Sequence, residues 1–196
     1  MRPAPPILCA AVLLSSCSAL GPSPQSKSPA GVSNMTMLVG QRFLDEDDWE
    51  PLEEPVAVSV EFDRYGRFDP AGFEIGFSYA EDSGELGGID LDSQFWELYG
   101  GVRKTFSLAE DRLHPYLSVG MSWVNAELDA SAGGLSTNID DDALGFYLRG
   151  GVYYTLGGGL NLGIDYRKLL GADFDAEGAS ADGDYDQFSL SLGYSF

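Results

Sequence analysis

Four arginines and four carboxylates share one parity in this chain of 196 residues. Arg42, Arg103, Arg149 and Arg167 lie in stretches where every second residue is apolar, and each falls on the intervening polar set, as do Glu61, Glu74, Glu97 and Asp165. Guanidinium forks match carboxylate geometry and bind it bidentately. If the polar set is shielded from water, the eight charges must pair, because an uncompensated buried charge costs several kcal/mol. Two uses are open to such a set. One is an ion path or gate through exchangeable Arg–carboxylate pairs; the other is a satisfied polar core that holds the strands in register.

A different group of acids sits in short runs. Asp45, Asp47 and Asp48 form one, and Asp140, Asp141 and Asp142 another. Calcium or magnesium would be drawn to clustered carboxylate oxygens of this kind. The runs lack the fixed spacing and turn glycine of an EF-hand loop, so a solvated, non-adhesive acidic surface is the competing reading. No organic cofactor is implied. Catalytic residues are not expected either: the single histidine, His114, reads as a turn residue at the end of the molecule away from the acidic runs, which leaves no Ser-His-acid constellation there. Gly157-Gly158-Gly159 opens no helix and so reads as a hairpin turn rather than a phosphate loop. Trp49, inside the first acidic stretch, reads as a packed anchor or a headgroup contact.

The elements that hold these residues have period two, the signature of strands with one apolar face. The sets are Val56 to Phe62, Phe73 to Tyr79, Trp96 to Phe106, Leu117 to Trp123, Phe146 to Tyr154, Leu160 to Tyr166 and Phe188 to Phe196. With a first strand over Asn34 to Leu44 the count is eight. Eight of the ten prolines lie at or before residue 55, and Pro70 and Pro115 are expected between strands, where a missing N–H does no harm. Connections alternate in length. Leu44 to Glu54, Glu81 to Asp92, Glu127 to Asp142 and Leu170 to Asp186 read as long loops, and they hold 23 of the 31 acids with no Lys or Arg among them. Tyr65 to Ala71, Ser107 to His114 and Gly157 to Gly159 are shorter.

Alternating long and short connections are expected of an outer-membrane barrel. Aromatic placement points the same way, because two girdles bracket a Val/Leu/Ile band. Phe43, Tyr79, Trp96, Trp123, Phe146, Tyr166 and Phe188 fall near the long connections, and Phe62, Phe73, Phe106, Tyr154, Tyr194 and Phe196 near the short ones. A soluble sandwich would scatter its aromatics along the strands.

Composition narrows the partners. With 31 acids against 11 bases the formal charge is −20, so nucleic acid is excluded as a partner: phosphate binding needs clustered Lys and Arg. Residues 1–16 carry Arg2, an apolar stretch from Ile7 to Leu14 and then small residues, the layout of an export signal too short to span a bilayer as a helix. Leu14-Ser15-Ser16-Cys17 resembles the lipobox of bacterial lipoproteins, with Cys17 as the acylated residue; ordinary cleavage nearby, for example after Ala19, is the alternative. Residues 17–33, rich in Pro, Ser, Gly and Ala, form a flexible linker. Cys9 would leave with the signal, so no intramolecular disulfide is expected.

The final strand, with Tyr194 and the terminal Phe196, resembles the sorting signal read by the barrel assembly machinery. On these residues and the eight alternating sets, the chain over 34–196 resembles the small eight-stranded outer-membrane proteins of the OmpA, OmpX and OmpW kind, the outer-membrane beta-barrel domain. The resemblance implies an all-β, antiparallel up-and-down transmembrane barrel whose partners are outer-membrane lipid and lipopolysaccharide, acting as a monomer. It implies no activity. A structural or surface-interaction role is the expectation, with a narrow channel or a carrier of small hydrophobic molecules or ions as the second. The lipobox is a departure from the usual pattern of such barrels.

Overall fold

The computed structural model describes residues 31–44, 49–66, 71–132, 135–176 and 179–196. The export signal, Cys17, most of the linker and the Asp45–Asp48 run lie outside them. Ten strands form in chain order: β1 (Val32–Leu44), β2 (Val56–Tyr65), β3 (Gly72–Leu86), β4 (Ile89–Thr105), β5 (Leu113–Ala132), β6 (Leu135–Thr155), β7 (Leu160–Leu170), β8 (Asp173–Ala176), β9 (Ala179–Asp182) and β10 (Tyr185–Ser195). Eight of them close into an antiparallel barrel in the order β1-β10-β7-β6-β5-β4-β3-β2, with β1 also paired to β2. Closure leaves the barrel without an edge. The seam is completed by Ser33 and Phe196, whose main chains exchange hydrogen bonds of 3.0 and 2.9 Å.

Alternation decides what faces where. Met37, Val39, Val60, Ile75, Leu98, Val119, Leu148, Ile164 and Leu190 lie on the outside and stay exposed. The intervening positions face the barrel interior, where buried polar and charged side chains such as Ser59, Glu61, Glu74, Glu97, Ser118, Arg149, Asp165 and Ser189 are joined by Leu38 and several glycines. This inversion of the soluble pattern is what a hydrocarbon surrounding demands, since nothing else would cover so broad an apolar belt. The aromatics of both expected girdles sit on this outer surface, among them Trp96 beside Tyr79 (ring centroids 4.5 Å) and Phe188 beside Tyr166 (4.9 Å).

The structure departs from the sequence reading in four places. β1 begins at Val32 rather than Asn34. Two of the long connections are not loops: β3 and β4 pair as far as Leu86 and Ile89, and β5 and β6 as far as Ala132 and Leu135. A third connection, Leu170 to Asp186, contains the small β8–β9 hairpin, which lies beside β6. Pro115 and His114 belong to β5, not to a turn. Pro115 is tolerated because its carbonyl still accepts from the Phe106 N–H at 2.8 Å, so the proline deprives the ladder of one donor and nothing more.

Above the girdle, β2 pairs with β3 only up to Glu81, and β7 with β6 only from Phe146. Strands β3, β4, β5 and β6 run on past this level as a four-stranded wall. Five residues beyond Glu81 correspond to about 17 Å at the usual rise of a strand.

Candidate functional site

The barrel interior is built in three layers. The middle layer holds all eight predicted charges, brought together by strand parity, and the structure adds a ninth, Asp63, two residues beyond Glu61. Glu97 on β4 forms the upper node. Its carboxylate accepts from Arg42 Nη2 (2.8 Å), Arg167 Nη2 (2.6 Å) and the Tyr185 hydroxyl (2.7 Å), and also from Ser122. Arg103 forms the lower node, donating to Glu61 and Asp63 at 2.5 Å each, with its Nε 2.6 Å from Glu74. Arg149 joins Glu61 to Asp165, reaching the latter at 2.7 Å. All nine side chains are buried. Five carboxylates therefore face four guanidiniums.

Tyrosines complete this layer, and sequence reasoning did not single out most of them. Tyr99 donates to Glu61, Tyr147 to Glu74 and Tyr116 to Asp165, at 3.1, 2.6 and 2.5 Å. The same rings take the arginines on their faces: the Arg167 guanidinium is 4.1 Å from Tyr99 and 4.4 Å from Tyr147, Arg103 is 4.1 Å from Tyr116, and Arg42 is 3.8 Å from Tyr185. Glycines make room for the rings. A Cβ at Gly76 would overlap the Tyr99 ring, and one at Gly151 would stand 2.6 Å from Tyr116. The signal was present, since Tyr99 follows Glu97 by two and Tyr116 precedes Ser118 by two, on the inward parity.

Toward the wall the interior turns apolar. Leu44, Ala57, Ala80, Phe95, Val124, Leu169 and Phe174 pack together, and Trp49 closes over them with its ring 5.1 Å from Phe95 and 6.1 Å from Phe174. The indole N–H donates to the Asp182 carbonyl at 2.6 Å, which ties the β1–β2 connection to the end of the β8–β9 hairpin. Trp49 is thus the packed anchor of the two expectations. At the opposite end, Tyr65 and Tyr153 share a 3.0 Å hydroxyl contact, and His114 stacks on Tyr153 at 4.7 Å. His114 Nε2 lies 3.0 Å from the Asp111 carbonyl, and Ser107 Oγ is 3.4 Å from Nδ1. That surrounding places the histidine far from the acid-rich end.

The Asp140–Asp142 run does not converge. It lies in β6, where alternation turns Asp140 and Asp142 outward and Asp141 toward the mouth; Asp142 accepts from the Trp123 indole at 3.1 Å. Among the described residues no group of three or more His, Cys, Asp or Glu side chains is placed to hold a metal ion. Tyr194 and Phe196 sit exposed on the outer surface at the short-turn end, 53% and 67% accessible, in positions that only lipid or a partner would cover.

The comparisons with known proteins agree with the architecture. No curated protein matches the chain in sequence. Among solved structures, Ail, the attachment invasion locus protein of Yersinia pestis, crystallised with the heparin analogue sucrose octasulfate, is similar with a TM-score of 0.59 at 18% identity, over 85% of this chain and 99% of that one. A major outer membrane protein from Thermus thermophilus reaches 0.59 at 13% identity over 85% and 100%. Neisserial surface protein A reaches 0.56 at 12% identity over 85% and 97%. At these identities the likeness speaks for the fold alone. The sequence model of one family matches residues 8–196, nearly the whole chain, and with the closed eight-stranded barrel it leaves one conclusion: this chain belongs to the outer membrane protein beta-barrel domain family.

Proposed function

We propose that this protein is a surface-interaction barrel of the bacterial outer membrane, in which the barrel is a closed anchor and the projecting wall carries the contact with the outside. The observation that carries this reading is the contrast between the two halves. The interior is filled by paired charges and capped by the Trp49, Phe95 and Phe174 cluster, while β3 to β6 invest some twenty residues in a structure that closes nothing. Eight strands enclose space that side chains fill. Acidic hairpins standing outside, short turns inside and outer-membrane lipid around the belt follow the usual topology of such barrels.

The anionic mouth also bears on the kind of partner. Ail was solved with a sulfated heparin analogue; here the wall strands carry acids and no Lys or Arg between residues 113 and 148, so a polyanion would be repelled. Divalent cations enter this reading as screening ions for the rim, bridging it to lipopolysaccharide phosphates, and calorimetry that gave no saturable heat with calcium or magnesium would remove them from it. High net charge also disfavours self-association, so the barrel acts as a monomer.

Two measurements test the reading. Ser83→Cys, on the outer face of the wall, should react with a membrane-impermeant maleimide on intact cells, whereas protection from the reagent would place the wall elsewhere. In planar bilayers the refolded protein should show no steady unit conductance. Conductance that changed on neutralising Arg149 or Glu97 would favour the transport reading instead.

A further inference from the structure

Register gives the wall two faces of opposite chemistry. On the outer face, carboxylates stand directly across from one another in three pairs of neighbours: Glu85 and Asp90, Asp92 and Asp129, Glu127 and Asp140. The inner face, turned over the mouth, carries apolar pairs interrupted by Asp82, Ser93 and Asp141. Leu86 pairs with Ile89 at the Gly87-Gly88 turn, Leu91 with Ala130, and Leu128 with Ile139. The Trp49 segment covers the rows of Phe95 and Ser93, which are buried, donates from the Glu54 N–H to Asp82 at 3.3 Å, and through Pro51 reaches Gly84, one row below Leu86. Leu86 and Ile89, in the row above Gly84, are 55% and 40% exposed, and Ile139, at the β6 end of the Ser93–Leu128 row, is 36% exposed. Lipid accounts for the exposed apolar residues of the belt; these three lie above the girdle and face the mouth, where lipid cannot reach them. Apolar residues left facing water along one sheet face mark an interaction surface.

Charge selects the occupant. Asp82 and Asp141 lie within the rows of the inner face, and no Lys or Arg occurs between residues 68 and 102 or between 113 and 148. A second copy of this chain, at −20, would bring like charge to like. We propose that the inner face of the wall is a docking surface for a cationic amphipathic peptide segment, whose apolar side chains pack on Leu86, Ile89 and Ile139 while its Lys or Arg side chains meet the surrounding carboxylates. The wall sorts partners twice, by an apolar surface that needs anchors and by a field that admits only cations. This inference rests on the reading that the wall stands outside the membrane.

The test uses the full chain refolded into phosphatidylcholine nanodiscs and a fluorescein-labelled amphipathic Lys/Leu peptide, with empty nanodiscs as the reference. Saturable binding above that reference is expected, with about tenfold loss for the double variant Leu86→Ser/Ile139→Ser. Both residues are exposed, so the variant keeps its barrel, which its resistance to denaturation in sodium dodecyl sulfate before heating verifies. A Glu/Leu peptide should not bind, and a Lys/Ser peptide should bind weakly and be released in 0.5 M salt, at roughly which concentration screening is nearly complete. Equal affinity of the variant and the parent overturns the proposal, and so does a Lys/Ser peptide that binds as tightly as Lys/Leu. Failure of the underlying reading looks different: Ser83→Cys would stay unlabelled on intact cells while the peptide still bound in nanodiscs.

Discussion

Glu97 shows how the interior tolerates charge. Its carboxylate receives two guanidiniums and two hydroxyls, all buried, so removing its charge strands Arg42 and Arg167 together. Glu97→Gln should therefore lower stability by about 3–5 kcal/mol, read as a shift in the urea midpoint of the protein in lipid vesicles. Tyr99→Phe removes one hydrogen bond but keeps the ring under Arg167, and the same assay should register about 1 kcal/mol. A larger effect belongs to Gly76→Ala, where the added methyl would occupy the space of the Tyr99 ring. If Tyr99→Phe cost as much as Glu97→Gln, the ring hydroxyls rather than the ion pairs would hold the layer together.

At the level of elements, the strands were legible because lipid outside and paired charge inside impose a strict two-residue alternation. The wall was not, although its alternation is just as strict. Above the girdle the surrounding changes from hydrocarbon to water, and the apolar parity switches sides: Leu98 and Trp96 face out, whereas Phe95, Leu91 and Ile89 face in. Acids then take the outer positions, as in Asp90-Leu91-Asp92, and a stretch dense in Asp and Glu reads as loop by composition. The same reasoning passed over Asp63, Tyr99, Tyr116 and Tyr185, although each stands on the inward parity. The acidic ladder carries its own consequence. Like charges directly opposed across strands cost up to about 1 kcal/mol per pair. Asp129→Asn should therefore slow amide hydrogen exchange in the upper part of β4 and β5 at low salt, with the difference fading as salt rises. Unchanged exchange would mean that the opposed carboxylates are already neutralised.

The molecule as a whole depends on the seam between its first and last barrel strands. Phe196 contributes twice there: its main chain bonds to Ser33, and its ring lies on the outer surface beside the short-turn end. These contributions separate by experiment. Phe196→Ala keeps the main-chain bonds, so refolding into vesicles should proceed as in the parent, while the yield of protein assembled in the outer membrane of cells falls. Deleting Phe196 should impair both. If Phe196→Ala refolded as poorly as the deletion, its ring would be a packing element rather than a signal to the assembly machinery. The parallel change at Tyr194, also exposed, extends the comparison.

Because eight is even, the polypeptide leaves the cylinder on the side where it entered, and Ser33 and Phe196 end as neighbours. A short peptide could bridge them, and new termini could be cut at the glycine turn around Gly158, where φ of 82° marks a tight bend without side chains to lose. Such a circular permutant would preserve every interstrand ladder while moving the C-terminal phenylalanine into mid-sequence. It would thereby ask whether recognition during biogenesis reads the position of that residue in the chain or only its position in space.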